Sequence, residues 1–241
     1  MVPLQVVWRH MSQRHASGTS LAAILPIALV GSAAYYFGPG GPQLDLNVAL
    51  LVVVGGMAGV FGGAQLADRV PEHALKIVVA LLLVAAGAKE LHDGIVGVSG
   101  APLAGVGPAG TLRAVMLVLA GVAVGVLSGL TGVGGGVLLV PLLVIGFGVG
   151  HRVAQGTSLL AIIPNSVIGT VVHQRHGDVD VGAATRIGLA GVPAAVVGAV
   201  LALWLPQRLL AAMFGLFLLL AAVLLWPRRS QPEELGPTRP A

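Results

Sequence analysis

Two short steps in this chain combine residue types that can hold an anion. Gly18-Thr19-Ser20 and Gly156-Thr157-Ser158 each lead into an apolar run, and Arg14 and Arg152 stand five residues before the respective threonines. A hydroxyl at a helix start caps free backbone N–H groups, and the same end carries partial positive charge suited to an anion. Guanidinium groups match the geometry of sulfonates and carboxylates. The plainer reading is capping and close helix packing by small residues for the Gly-Thr-Ser steps, and interface snorkelling for the arginines. A glycine cluster, Thr131 to Gly136 with Gly132, Gly134, Gly135 and Gly136, offers exposed amides and close backbone approach, or merely a tight turn. It lacks the Gly-Lys-Ser/Thr of a phosphate loop, and no strand precedes it as a dinucleotide fingerprint requires. Asn165 is one of few amides inside an apolar run and either binds substrate or bonds a neighbouring helix. The polar stretch His173, Arg175, His176, Asp178 and Asp180 reads as a solvated loop, with Asp180 and its counterpart Asp45 capping the helices that follow.

These residues sit in sequence that cannot face water. Of 241 residues 56% are hydrophobic and 9% charged, against roughly 25% charged in a soluble domain. Apolar segments at 19–37, 46–67, 73–91, 112–128, 133–148, 156–174, 182–205 and 207–226 approach or reach the ~20 residues of a spanning helix. The fold class is therefore an all-α polytopic membrane protein of about 7–8 hydrophobic segments. A β-barrel is excluded by runs that do not alternate and by an aromatic content of 4%. The segments at 112–128 and 133–148 are short for a bilayer, so short spans or a re-entrant hairpin are expected there, the latter only where protein or a water-filled cavity surrounds it. With no cysteine, disulfides, thiolate metal sites and cysteine nucleophiles are excluded. The 13 Lys and Arg against 9 Asp and Glu are scattered over loops and read as membrane orientation, not nucleic-acid binding. No span carries an Asp or Glu at its centre, so a proton relay has no evident carrier.

The chain repeats itself. Shifted by 138, residues 2–38 fall on 140–176 with 14 of 37 identities, among them Pro3/Pro141, Arg14/Arg152, the two Gly-Thr-Ser steps, Pro26/Pro164 and Gly31/Gly169. After a three-residue insertion the shift of 135 matches Asp45/Asp180, Gly56/Gly191, Gly63/Gly198 and Pro71/Pro206. This divides the chain into a first repeat at 1–91, a Gly/Pro-rich connector at 92–111, a second repeat at 112–226 and a disordered tail at 227–241. The first copy has no counterpart of 112–138, and the expectation is a start codon upstream of Met1. An odd number of crossings per repeat inverts the halves and puts Arg9, Arg14, Arg69, Lys76, Arg175, Arg186, Arg228 and Arg229 on one side, with Lys89, Arg113, Arg152 and Arg208 on the other. The positive-inside rule favours this asymmetry over parallel halves, which split the same cations evenly.

On SGLTGVGGGVLLVPLL at 128–143, RVAQGTSLLAI at 152–162 and HQRHGDVD at 173–180, the chain resembles the sulfite exporter TauE/SafE family of membrane permeases. The resemblance covers roughly 2–226. It implies a multi-pass protein of the bacterial plasma (inner) membrane that moves a small anion such as sulfite, an organosulfonate or a carboxylate. The expectation is a secondary transporter, an exporter by alternating access of the two repeats, and not an enzyme. The substrate-binding candidates are Gly18, Thr19, Ser20, Thr131, Gly134, Gly135, Gly136, Arg152, Gly156, Thr157, Ser158 and Asn165. No cofactor or metal is expected. The partners are the lipid bilayer and the anion, with a homo-oligomer left open. A non-transporting integral membrane subunit is the alternative. An intramembrane hydrolase built on Ser128 and His173 is disfavoured, because GVLSG at 125–129 is not a Gly-x-Ser nucleophile pattern and a duplication has no role in it.

Overall fold

A computed structural model describes residues 13–66, 72–97, 110–131 and 135–225. The helices are α1 (Gln13–Phe37), α2 (Leu46–Leu66), α3 (Glu72–Val96), α4 (Gly110–Thr131), α5 (Gly136–Pro141, continued by a π-helical turn, Leu142–Gly146), α6 (His151–Arg175), α7 (Val181–Trp204) and α8 (Gln207–Leu225), with no strand among the described residues. Six of them, α1, α2, α4, α6, α7 and α8, are long and apolar enough to cross a membrane. The protein is an all-α polytopic membrane protein. Its outward faces carry Phe37, Leu50, Leu119, Leu189, Val197, Trp204, Phe217 and Val223, all exposed, as a lipid-facing surface requires.

Several boundaries move. Hydropathy starts α6 at 156, but the helix begins at His151 and takes HRVAQ into its first turns, because helical hydrogen bonding does not require apolar side chains. The Gly-Thr-Ser steps therefore lie in the second turn of α1 and α6 and do not cap either helix. The segment expected as short at 112–128 is a full 22-residue helix, about 33 Å long at 1.5 Å per residue. Residues 92–96 of the expected connector continue α3. Residues 98–109 of the connector, the tail from 226 and the first twelve residues lie outside the described residues.

The helices pair through close backbone contact where glycine removes Cβ. A Cβ on Gly55, Gly59 or Gly63 of α2 would run into the α4 backbone at Val118, Val122 and Val126, and one on Gly121 or Gly125 of α4 would meet α2 at Val52 and Gly56. This is the small-residue stripe that lets membrane helices touch without a hydrophobic driving force. α3 and α8 meet in the same way, with Gly87 against Gly215 and Gly94 against Ala212, and Leu75, Val79 and Leu83 pack with Leu218 and Ala222. α3 carries too many charges to qualify as an apolar span, yet it lies along the apolar α8 for its full length.

Candidate functional site

The two Gly-Thr-Ser steps make equivalent contacts at opposite ends of the bundle. Thr19 is fully buried, and its Oγ1 accepts a hydrogen bond from the Asp180 backbone N–H at 3.0 Å; Thr157, equally buried, accepts from the Asp45 N–H at 2.9 Å. A Cβ on Gly18 would overlap the Asp178 carbonyl, and one on Gly156 the Gln43 carbonyl. Each step thus seats a loop far away in sequence, the one before α7 for Thr19 and the one before α2 for Thr157. The caps expected at those loops are present: Asp180 Oδ1 accepts from the Ala183 N–H at 2.8 Å, and Asp45 Oδ1 from the N–H groups of Asn47 and Val48 at 2.9 and 3.1 Å. Of the 173–180 stretch, expected as a solvated loop, residues 174–177 are exposed, whereas His173 is buried beside Gly18 in the last turn of α6, and His15 Nδ1 is 3.1 Å from Asp178 Oδ1.

Further reciprocal contacts run through the centre, where α1 and α6 lie antiparallel. A Cβ on Gly31 would stand 3.2 Å from Leu159 Cδ1, and one on Gly169 2.8 Å from Leu21 Cδ1. One on Gly56 would meet Asn165 Nδ2 at 2.7 Å, and one on Gly191 would meet Ile27 Cδ1 at 2.5 Å. Gly31 and Gly169, Leu21 and Leu159, Gly56 and Gly191, and Ile27 and Asn165 are aligned pairs. Asn165 is buried, its Oδ1 has no hydrogen-bond partner among the described residues, and it faces α2.

Gly135 and Gly136, the described part of the glycine cluster, lie within the bundle. Gly135 takes φ +78°, in the left-handed region that favours glycine, and accepts from the N–H groups of Leu138 and Leu139. Its Cβ position is 3.0 Å from Val124 Cγ1 and 3.3 Å from Ser128 Cβ, so the chain has turned back alongside α4 instead of continuing past its end. Gly136 abuts Ile162, midway along α6. From there α5 and its π turn span 11 residues, about 17 Å, or roughly half of a hydrocarbon core. A broken helix therefore starts near the middle of the bundle.

That start opens on a cavity of about 410 Å³. Its walls come from α1, α5, α6, α7 and α8 and are mostly apolar, with Gly136, Tyr35, Gln155 and Ser158 as the polar points. The Tyr35 hydroxyl donates to Gln155 Oε1, and Ser158 Oγ donates to the Gln155 carbonyl at 2.9 Å. Among the described residues no Lys, Arg, Asp or Glu lines the cavity, so an anion inside would meet neutral groups, and the two hydroxyls would have to turn from Gln155 to donate to it. A second hollow, about 530 Å³, lies at the end of the bundle beside Gln43, Asp45, Gly150 and Gln207; the Asp45 carboxylate makes it the poorer place for an anion.

Of the twelve candidates, the structure brings Gly136 and Ser158 to the cavity, with Gly135 next in the chain. Gly18 and Thr19 pack α1 on the loop before α7, Gly156 and Thr157 pack α6 on the loop before α2, and Ser20 is buried on the same turn as Thr19. Arg152 does not line the cavity; its Nη2 donates to the Leu205 carbonyl at the bundle end. There Arg113 Nη2 donates to the Phe147 carbonyl at 2.8 Å, and Arg208 packs on Gly97. Thr131 ends α4 with its side chain outside the described residues, as is all of Gly134. Tyr35 and Gln155 are cavity residues that the sequence reading missed. The i, i+3 spacing of Gln155 and Ser158 on one helix face was the available signal. Glu90, in the last third of α3 and so away from the centre of that segment, is a fully buried carboxylate.

The family model "Sulfite exporter TauE/SafE" matches residues 1–90 and 117–241. Among curated proteins, the chain is 29% identical over 227 residues to "Probable membrane transporter protein YdhB" of Bacillus subtilis, covering 93% of this chain and 89% of that one. It is 31% identical over 114 residues to "Probable membrane transporter protein MJ0441" of Methanocaldococcus jannaschii, an alignment covering 45% of this chain and 43% of the relative. A third relative, "Probable membrane transporter protein YjnA" of Bacillus subtilis, is 35% identical over 81 residues, 32% of its length. No solved structure matches.

Proposed function

The chain belongs to the sulfite exporter TauE/SafE family, and we propose that it is a secondary transporter of a small anion, an exporter of sulfite, an organosulfonate or a carboxylate in a bacterial plasma membrane. The observation that carries this reading is the cavity at the start of the broken helix. Gly136 opens the backbone there, and Tyr35, Gln155 and Ser158 offer neutral polar contacts in an otherwise apolar wall. Such a site can offer an anion hydrogen bonds, once the Tyr35 and Ser158 hydroxyls turn from Gln155, without a fixed countercharge that would hold it too tightly to release. The two halves act as inverted repeats that rock against each other. The reciprocal Thr19–Asp180 and Thr157–Asp45 contacts support this pairing, as does the collection of Arg113, Arg152 and Arg208 at one end of the bundle. By the positive-inside rule the opposite end, with Arg175 and Arg186, is cytoplasmic.

Exchange of labelled sulfite, thiosulfate, isethionate and acetate across vesicles containing the purified protein tests the reading. One or more of these should exchange, and Ser158→Ala or Gln155→Leu should lower the rate roughly tenfold, as the loss of about one hydrogen bond to a charged ligand implies. A protein that inserts normally and exchanges none of the four would instead be a non-transporting membrane subunit.

A further inference from the structure

α3 carries Glu90 with no exposed surface, and its Oε2 lies 2.8 Å from Nε2 of His151, itself 2% exposed. Glu90 Oε1 and His151 Nδ1 have no hydrogen-bond partner among the described residues. A buried pair this poorly satisfied is weak as a stabilising device, since apolar residues of the same volume commonly do as well or better. In a membrane protein an ionisable group held inside the bundle marks an ion or proton path by default.

The charges on the surrounding elements are engaged elsewhere. On α3 itself, Lys89 Nζ lies 2.6 Å from Asp93 Oδ2 and His92 Nδ1 3.4 Å from Asp93 Oδ1. On α4, Arg113 holds the Phe147 carbonyl; on α6, Arg152 holds that of Leu205; on α8, Arg208 lies on Gly97.

Their position links them to the transport site. His151 is the first residue of α6, and Gln155, on the cavity wall, stands one turn further along the same face. Two residues before His151, the Val149 N–H bonds the Leu143 carbonyl in the π turn of the broken helix, at 3.0 Å. The pair thus sits where α3, the end of the broken helix and the start of α6 meet.

We propose that Glu90 and His151 form a proton-binding site coupled to anion movement, an inference that rests on the transporter reading above. With one proton bound, as carboxylate and imidazolium or as carboxylic acid and imidazole, the pair is neutral. Without it, carboxylate and neutral imidazole carry one negative charge. An anion in the cavity repels the deprotonated pair and favours the neutral one. By linkage the proton equally favours anion binding, so proton and anion occupy the protein together and move in the same direction. Gln155 is four residues, about 6 Å of helix rise, from His151; two unit charges on the order of 10 Å apart at an effective dielectric near 20 repel by about one pH unit.

Infrared titration of the full chain in lipid vesicles reads the site directly. A protonated-carboxyl band should titrate in the wild type, vanish in Glu90→Gln, and shift its midpoint in His151→Gln. Addition of isethionate or sulfite should raise the wild-type midpoint by about one unit. In vesicle transport, Glu90→Gln should lose accumulation driven by a pH gradient. A carboxyl band unchanged by Glu90→Gln, or a Glu90 titration that neither anion moves, overturns the proposal, as does undiminished gradient-driven accumulation in Glu90→Gln. Failure of the transporter reading has a different signature: no anion exchanges in wild-type vesicles, whatever Glu90 does in the infrared.

Discussion

Replacing Thr157 by valine keeps the shape of the side chain and removes one hydrogen-bond acceptor. The Asp45 N–H, now 2.9 Å from Thr157 Oγ1, then loses its partner at the junction of a loop and α2. It cannot turn to an intrahelical carbonyl, because it precedes the first turn. Side-chain hydrogen bonds between membrane helices average ~0.6 and reach ~1.7 kcal/mol, and an orphaned buried donor costs ~1–3 kcal/mol. Full burial of Thr157 and the absence of a substitute acceptor place this case near ~1–2 kcal/mol, a factor of about 5–30 in the folded ratio. Thr19→Val removes the matching bond to Asp180 and should cost about the same. The two bonds lie at opposite ends of the bundle, so the double variant should show the sum within ~0.5 kcal/mol. Denaturant unfolding of the purified protein in mild detergent measures all three, with Thr157→Ser as the control that keeps the acceptor. A Thr157→Val variant indistinguishable from wild type, or a Thr157→Ser variant equally damaged, would refute the view that these threonines lock one half onto the other.

Further outcomes follow from the same contacts. Gly156→Ala and Gly18→Ala drive a methyl into the Gln43 and Asp178 carbonyls and should each destabilise by about 1–3 kcal/mol, whereas Gly198→Ala, with open space around it, should unfold at the wild-type temperature. Asp45→Ala and Asp180→Ala each remove a helix cap and should cost ~0.5–2 kcal/mol, measured in the same denaturant series. Arg152→Ala should lower thermal stability before it touches anion affinity, because its guanidinium holds the Leu205 carbonyl; an unchanged melting temperature with weakened anion binding would return Arg152 to the site.

Much of the candidate site was legible one residue at a time, but not the partner of each residue. Gly136 and Ser158 stood out because glycine clusters and hydroxyls are rare enough in apolar sequence to need a reason, and both line the cavity. Thr19, Thr157 and Arg152 stood out for the same reason and serve other ends. The type of a polar residue shows that it needs a partner without showing whether that partner is substrate or backbone. Tyr35 and Gln155 escaped notice because their value lies in facing each other across two helices far apart in sequence.

The sequence by itself determined that the chain lives in a membrane, where most of its helices run, and that its two parts align through Gly-Thr-Ser, proline and aspartate. Those properties are local: transfer free energy and helix length are sums over neighbours in the chain. Only the tertiary structure decided what each helix face meets. It seats the loops before α7 and α2 on Thr19 and Thr157, turns Gly135 back beside α4, and buries Glu90 against His151. Which side of a helix is inside depends on the helices around it, and no count along the chain contains that information.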